Sequence, residues 1–172
     1  MIEVVLRAVR VDVGSSTPLL LLEEVGGERV LPIFIGAPEA ASIAYALQGV
    51  KAPRPMSHDL LGHVIAALDA RLSTVEITEL VDNTFYANLR LVRHGEEVIV
   101  SSRPSDAVAL ALRVSAPIFV NDDLMAAEGR IMQLAYDESD EEYVDLETPS
   151  EADLVAQLRE FLDQVRPEDF GA

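Results

Sequence analysis

The sequence predicts an α+β domain: a central, largely antiparallel or mixed β-sheet with helices packed on it, followed by a C-terminal amphipathic helix. Three observations point there. β-Rich runs of alternating polarity are separated by tight turns, helical stretches open on prolines and caps, and strands followed by helix occur twice, over 1–70 and 73–114. The 172 residues are 49% hydrophobic, enough for a buried core, which excludes a wholly disordered chain. With no cysteine there is no disulfide scaffold, thiol nucleophile or cysteine zinc site. No apolar run approaches the ~20 residues of a membrane span, so the expectation is a cytoplasmic protein.

Residues 1–13 alternate around Ile2, Val4, Leu6, Val9, Val11 and Val13 and read as a strand, ended by Gly14-Ser15-Ser16. Residues 18–25 give a second strand, Gly26-Gly27 a hairpin turn, and 29–35 a third strand that is apolar on both faces. Pro38 at a first helical position, with Glu39 in the first turn, opens a helix to about Gln48 with Gly49 closing it. The segment Lys51-Ala52-Pro53-Arg54-Pro55 cannot be helical. Ser57 suits the cap of a helix over 58–70, with Leu61, Val64, Ile65 and Leu68 as its apolar stripe. Strands follow at 73–81, 84–92 and 98–100, with turns at Asp82-Asn83 and His94-Gly95-Glu96. A helix begins near Pro104, and its stretch from 107 to 112 has no polar residue, so it is buried on most sides. Residues 117–120 form a short strand, and Asp122-Asp123 starts a short helix ending near Gly129.

The formal net charge is −17, of which −11 falls on residues 137–172 (13 acids and 2 arginines). Such a body repels a phosphate backbone at long range, so tight passive binding of nucleic acid is disfavoured, whereas a local basic site is allowed. The composition change places a domain over 1–136 and a tail over 137–172. The tail is an acidic linker and then a helix from Pro149, whose stripe is Leu154, Val155, Leu158, Phe161, Leu162 and Val165.

Three helix starts carry the polar residues of interest. Glu39 suits the positive end of its helix. Arg54-Pro55-Met56-Ser57-His58-Asp59 combines a cation with an imidazole and a carboxylate, the groups that phosphodiester hydrolysis uses; it also reads as a capped helix start on a proline loop. Asp59 and His63 share a helix face and could ligate one ion. Ser102-Arg103-Pro104-Ser105-Asp106 reads as an anion pocket of helix N–H groups and Arg103, with Asp106 as a metal or proton-transfer group, or as a plain capped helix.

The segments LPIFIGAPEA (31–40), RPMSHDL (54–60) and RPSDAVALALR (103–113), followed by PIFV (117–120), resemble the bacterial and plant bifunctional nuclease family over roughly residues 1–130. The resemblance implies a compact α+β domain that self-associates and a nuclease acting on RNA or DNA. Its polar pattern falls on Glu39, Arg54, His58, Asp59, Arg103, Ser105 and Asp106; His63 lies outside it. The expected catalytic residues are Glu39, His58, Asp59 and Asp106, and the expected substrate-binding residues are Arg54, Arg103 and Ser105. Asp59 and Asp106 are the expected ligands of a divalent ion, Mg or Mn, that activates water. Nucleic acid is then a substrate rather than a tight ligand, and the expected assembly is a homodimer or higher homo-oligomer. The competing expectation is a non-catalytic ligand-binding or regulatory module with an anion pocket at its helix N-termini. Whether the three helix starts converge in space separates the two.

Overall fold

A computed structural model of the chain describes residues 1–12, 14–50 and 52–131, and within them the alternating segments join into one eight-stranded sheet. The elements, in chain order, are β1 (Ile2–Asp12), β2 (Thr17–Glu24), β3 (Arg29–Phe34), α1 (Ala37–Leu47), α2 (Ser57–Ala67), β4 (Ala70–Val81), β5 (Thr84–Arg93), β6 (Glu96–Ser102), α3 (Pro104–Val114), β7 (Ile118–Val120), α4 (Asp122–Glu128) and β8 (Arg130–Ile131). The proposed C-terminal linker and helix lie outside the described residues.

The strand order is β6-β5-β4-β7-β1-β2-β3-β8. It consists of two antiparallel meanders, β1-β2-β3 and β4-β5-β6, joined by the three-residue strand β7, with the two-residue β8 antiparallel to β3 at one edge. β7 runs antiparallel to β1, with Val4 opposite Ile118, and parallel to β4, with Val75 opposite Ile118. The β4–β5 and β5–β6 hairpins turn at Asp82-Asn83 and His94-Gly95. Both central residues of each turn have positive φ (48° and 60°; 52° and 84°), the turn whose twist matches that of the flanking strands.

Helix α3 is the central helix. Pro104, Ser105 and every residue from Ala107 to Ala111 are buried, as its apolar run requires. It packs on β4 and β5, while α1 and α2 both pack on α3. The core joins Leu20, Leu22, Leu31 and Ile33 of the first meander to Val75, Ile77 and Ala87 of the second, with Ile43, Val108 and Leu110 from the helices. Among the described residues no helix is long and apolar enough to cross a membrane.

The structure corrects three details of α2. The helix stops at Ala67 rather than near Ala70, because Asp69 turns left-handed (φ 56°) and Ala70 already pairs with Arg93 in the β4–β5 ladder. Its expected stripe is not its buried face. Leu61, Val64 and Leu68 are exposed, whereas Ile65 packs on the core. A Cβ built on Gly62 would meet Val114 Cγ1 at 3.5 Å and Leu110 Cδ1 at 3.7 Å, so the Gly62–Ile65 side faces α3. α2 packs on α3 and β4 by this one narrow side, and its smallest residue allows the closest approach to α3. Ser57 is also not the cap: Met56 holds that position, and its backbone N–H donates to Asp59 Oδ2 at 3.0 Å.

Candidate functional site

The first turns of α1, α2 and α3 meet, and their polar side chains form one connected cluster. Glu39 stands in the first turn of α1, behind Pro38. Its Oε1 accepts from Nη1 of Arg103 at 2.8 Å, across to the cap position of α3. The same guanidinium reaches one turn ahead to Asp106, with Nε 2.7 Å from Oδ2 and Nη2 3.0 Å from Oδ1. Arg103 therefore bridges two carboxylates while its side chain stays 65% exposed. Those bonds hold its guanidinium charge more firmly than usual, with Asp106 the larger cause and Glu39 the smaller.

His58, the second residue of α2, lies between the other two helices. Its Nε2 is 3.1 Å from Asp106 Oδ1, and its Nδ1 is 2.9 Å from Oγ of Ser42 on α1. Burial pushes the Asp106 carboxyl up, but the hydrogen bonds from Arg103 and His58 outweigh it and the group ends below the usual range. Asp106 is thus ionised and can only accept, so the neutral His58 ring carries its proton on Nε2. Nδ1 is then bare and takes the Ser42 hydroxyl proton. An imidazole held this way has a carboxylate to stabilise its charged form and a bare nitrogen, Nδ1, to take a proton, the arrangement general acid–base chemistry uses.

Asp59 faces a different cation. Its Oδ1 lies 2.5 Å from Nε of Arg113 near the end of α3, and its Oδ2 accepts from the Met56 N–H. The Arg113 bond first and the Met56 bond second hold this carboxyl below the ordinary range. Arg113 also donates to the Ser42 carbonyl at 3.1 Å and to Ser42 Oγ at 3.3 Å, which links the Asp59 pair back to His58.

Of the expected residues, Glu39, His58, Arg103 and Asp106 are in direct contact with one another, and Asp59 joins them through Arg113 and Ser42. Arg54 stands exposed on the loop before α2 with no hydrogen bond or ion pair among the described residues. Ser105 is 6% exposed, so the hydroxyl expected to bind substrate presents almost no surface. His63 is exposed on α2, and Asp59 turns to Arg113 instead of sharing an ion with it. As joint metal ligands Asp59 and Asp106 do not fit. Each of their four oxygens already accepts from a donor, and they are held by different arginines. Among the described residues no group of three His, Asp or Glu is arranged to hold a metal ion. Sequence reasoning missed Arg113 and Ser42. Arg113 reads as a base favoured by the C-terminal end of a helix dipole, and Ser42 as one small residue among alanines. The available signal was that Arg113 is the lone charge at the end of an otherwise apolar run.

The family model described as bifunctional nuclease domain matches residues 20–133. A Mycobacterium tuberculosis protein (strain H37Rv) described as uncharacterized is 46% identical over 170 residues, which is 99% of this chain and 98% of that protein. "Bifunctional nuclease 1" of Oryza sativa subsp. indica is 28% identical over 113 residues, 64% of this chain and 34% of its own. "Bifunctional nuclease 1" of Arabidopsis thaliana is 27% identical over 121 residues, 69% of this chain and 37% of its own. This chain thus spans little more than a third of either plant relative.

Proposed function

The chain belongs to the bifunctional nuclease domain family, and on that premise we propose that it hydrolyses phosphodiester bonds of RNA or DNA where α1, α2 and α3 meet. The observation that carries the reading is His58 held against Asp106 beside the exposed guanidinium of Arg103. Arg103, joined by Arg54 from the loop, binds the phosphate and offsets the charge that builds on its oxygens. His58 takes a proton from the attacking water on its bare Nδ1, relayed through the Ser42 hydroxyl, or returns one to the leaving oxygen by the same route, and Asp106 stabilises the imidazolium between the two events. Glu39 holds Arg103 over Asp106 until a phosphate competes for it. A local site of this kind suits a strongly acidic body, because binding then rests on a few short contacts rather than on a basic groove.

The test is cleavage of labelled single-stranded RNA and DNA by wild type, His58→Gln and Asp106→Asn, purified side by side. Loss of a proton-transferring group or of its carboxylate should lower the rate by about 100-fold or more while thermal melting stays cooperative. Cleavage at the wild-type rate by both variants overturns the reading and leaves an anion-binding module as the better description. An arm with EDTA measures the requirement for a divalent ion. Loss restored by Mg or Mn would mean that the ion displaces Arg103, the more exposed of the two arginines, from Asp106.

A further inference from the structure

Arg113 has a side chain only 10% exposed and donates to four acceptors on three helices: Asp59 Oδ1, the Ala109 carbonyl, the Ser42 carbonyl and Ser42 Oγ. Two consequences bear on the site. The Asp59 carboxylate is satisfied at both oxygens by the protein itself, by Arg113 and by the Met56 N–H. The Ser42 hydroxyl, accepting from Arg113, is left with its own proton to give, and the acceptor beside it is His58 Nδ1 at 2.9 Å. Arg113 therefore fixes the direction of a hydrogen-bond chain that ends on the imidazole, and through Asp59 it holds the first turn of α2, the turn that carries His58.

Resting on the phosphodiesterase reading above, we propose that Arg113 is a positioning residue that sets the orientation of His58 through Ser42 and Asp59 and supports the tautomer that Asp106 imposes. Asp59 acts through Arg113 and does not touch the substrate. This assigns the two aspartates different work: Asp106 faces the reacting groups, whereas Asp59 forms the clamp behind them. Small displacements are enough for such a residue to matter, since moving a catalytic group by ~1 Å can cost about 100-fold in rate.

A double-mutant cycle tests the proposal. The full chain is compared with Arg113→Met, Asp59→Asn, the double variant, Arg113→Lys and Ser42→Ala, with kcat and KM measured on a labelled oligonucleotide. The imidazole 15N resonances of His58 provide a second readout. Arg113→Met and Asp59→Asn should each lower kcat by about 10- to 100-fold with KM little changed, because the arginines that bind phosphate are untouched. The double variant should be no slower than the slower single one, since both remove the same clamp. Arg113→Lys keeps a cationic donor within reach and should recover most of kcat. The wild-type spectrum should show Nε2 protonated and Nδ1 bare. The Nδ1 resonance should shift in Arg113→Met and in Ser42→Ala, although Asp106 is intact in both. Ser42→Ala leaves the Asp59–Arg113 pair formed, so it stays informative if Arg113→Met does not fold. The proposal is overturned if Asp59→Asn is far slower than Arg113→Met and the two effects multiply, which puts Asp59 on the substrate. It is also overturned if Arg113→Met retains wild-type kcat and the wild-type His58 spectrum. Wild-type protein without nuclease activity would sink the phosphodiesterase reading alone, and the spectra would still decide the positioning.

Discussion

At the scale of single residues the site is a set of hydrogen bonds in which almost every donor faces one acceptor, and the carboxylates make its stability depend on pH. Asp59 and Asp106 both titrate below the ordinary carboxylate range in the folded protein, Asp59 chiefly through Arg113, Asp106 through Arg103 and His58 against the cost of burial. A carboxyl depressed by folding contributes stability above its unfolded value of about 4 and loses it as the pH falls through the lower folded value. Melting temperatures from pH 7 down to pH 2.5 should therefore drop most steeply below pH ~4. Asp59→Asn should make that acid limb shallower while lowering the melting temperature at pH 7, where the part-buried Arg113 is left without its counter-ion. An acid limb identical in wild type and Asp59→Asn would show that this pair contributes no pH-dependent stability.

At the scale of elements, the helices differ in what holds them. α3 is anchored by its core residues, with Val108 and Leu110 fully buried. α2 has no buried residue, and Leu60, Leu61, Val64 and Leu68 lie in contact with solvent. Leu110→Ala should consequently cost about 2–5 kcal/mol, and Leu61→Ala under about 1 kcal/mol, by chemical denaturation. Equal costs would mean that α2 is packed far more tightly than its exposure indicates. Gly62 offers the opposite sign. Its Cβ position has only ordinary contact distances to Val114 and Leu110, and a glycine inside a helix is less favourable than alanine. Gly62→Ala should raise stability by up to about 1 kcal/mol; a loss would show that the α2–α3 approach leaves no room for a methyl group. The site is thus assembled at the first turn of a loosely held helix, and the Arg113–Asp59 and His58–Asp106 bonds supply part of what apolar burial does not.

At the scale of the whole molecule, two features bear on assembly and on substrate. Leu47 and Val50 before α2, Leu60, Leu61 and Val64 on it and Leu68 directly after it are all exposed, apolar surface that a second copy of the chain would cover. A symmetric homo-oligomer, most simply a dimer, is the expected state in solution. Sedimentation should give at least twice the 18.7 kDa of one chain, and a mass of 18.7 kDa across micromolar concentrations would exclude it. The charge of −17 acts against the approach of any nucleic acid. Moving from ~0.01 M to ~0.1 M salt shortens the screening length from about 30 Å to about 10 Å and should raise kcat/KM, the reverse of the behaviour of a basic nuclease.

Hydrophobic period, turn residues and caps are local properties. For that reason the sequence by itself determined that strands and helices alternate as they do, that the run 107–112 would be buried, as it is up to Ala111, and that polar residues would cluster at three helix starts. It determined the boundaries less well where a tertiary pairing competes with a local signal, as where Ala70 leaves α2 for its place opposite Arg93. Only the tertiary structure decided that β7 would join two meanders into one sheet and that the three helix starts would meet. It alone decided, too, that Asp59 would turn to Arg113 and Asp106 to His58. The physical reason is range. Helix and turn signals act within a few residues, whereas the Asp59–Arg113 pair spans 54 residues and the Ser42–Arg113 pair 71, and no pattern along the chain encodes a contact at such a separation.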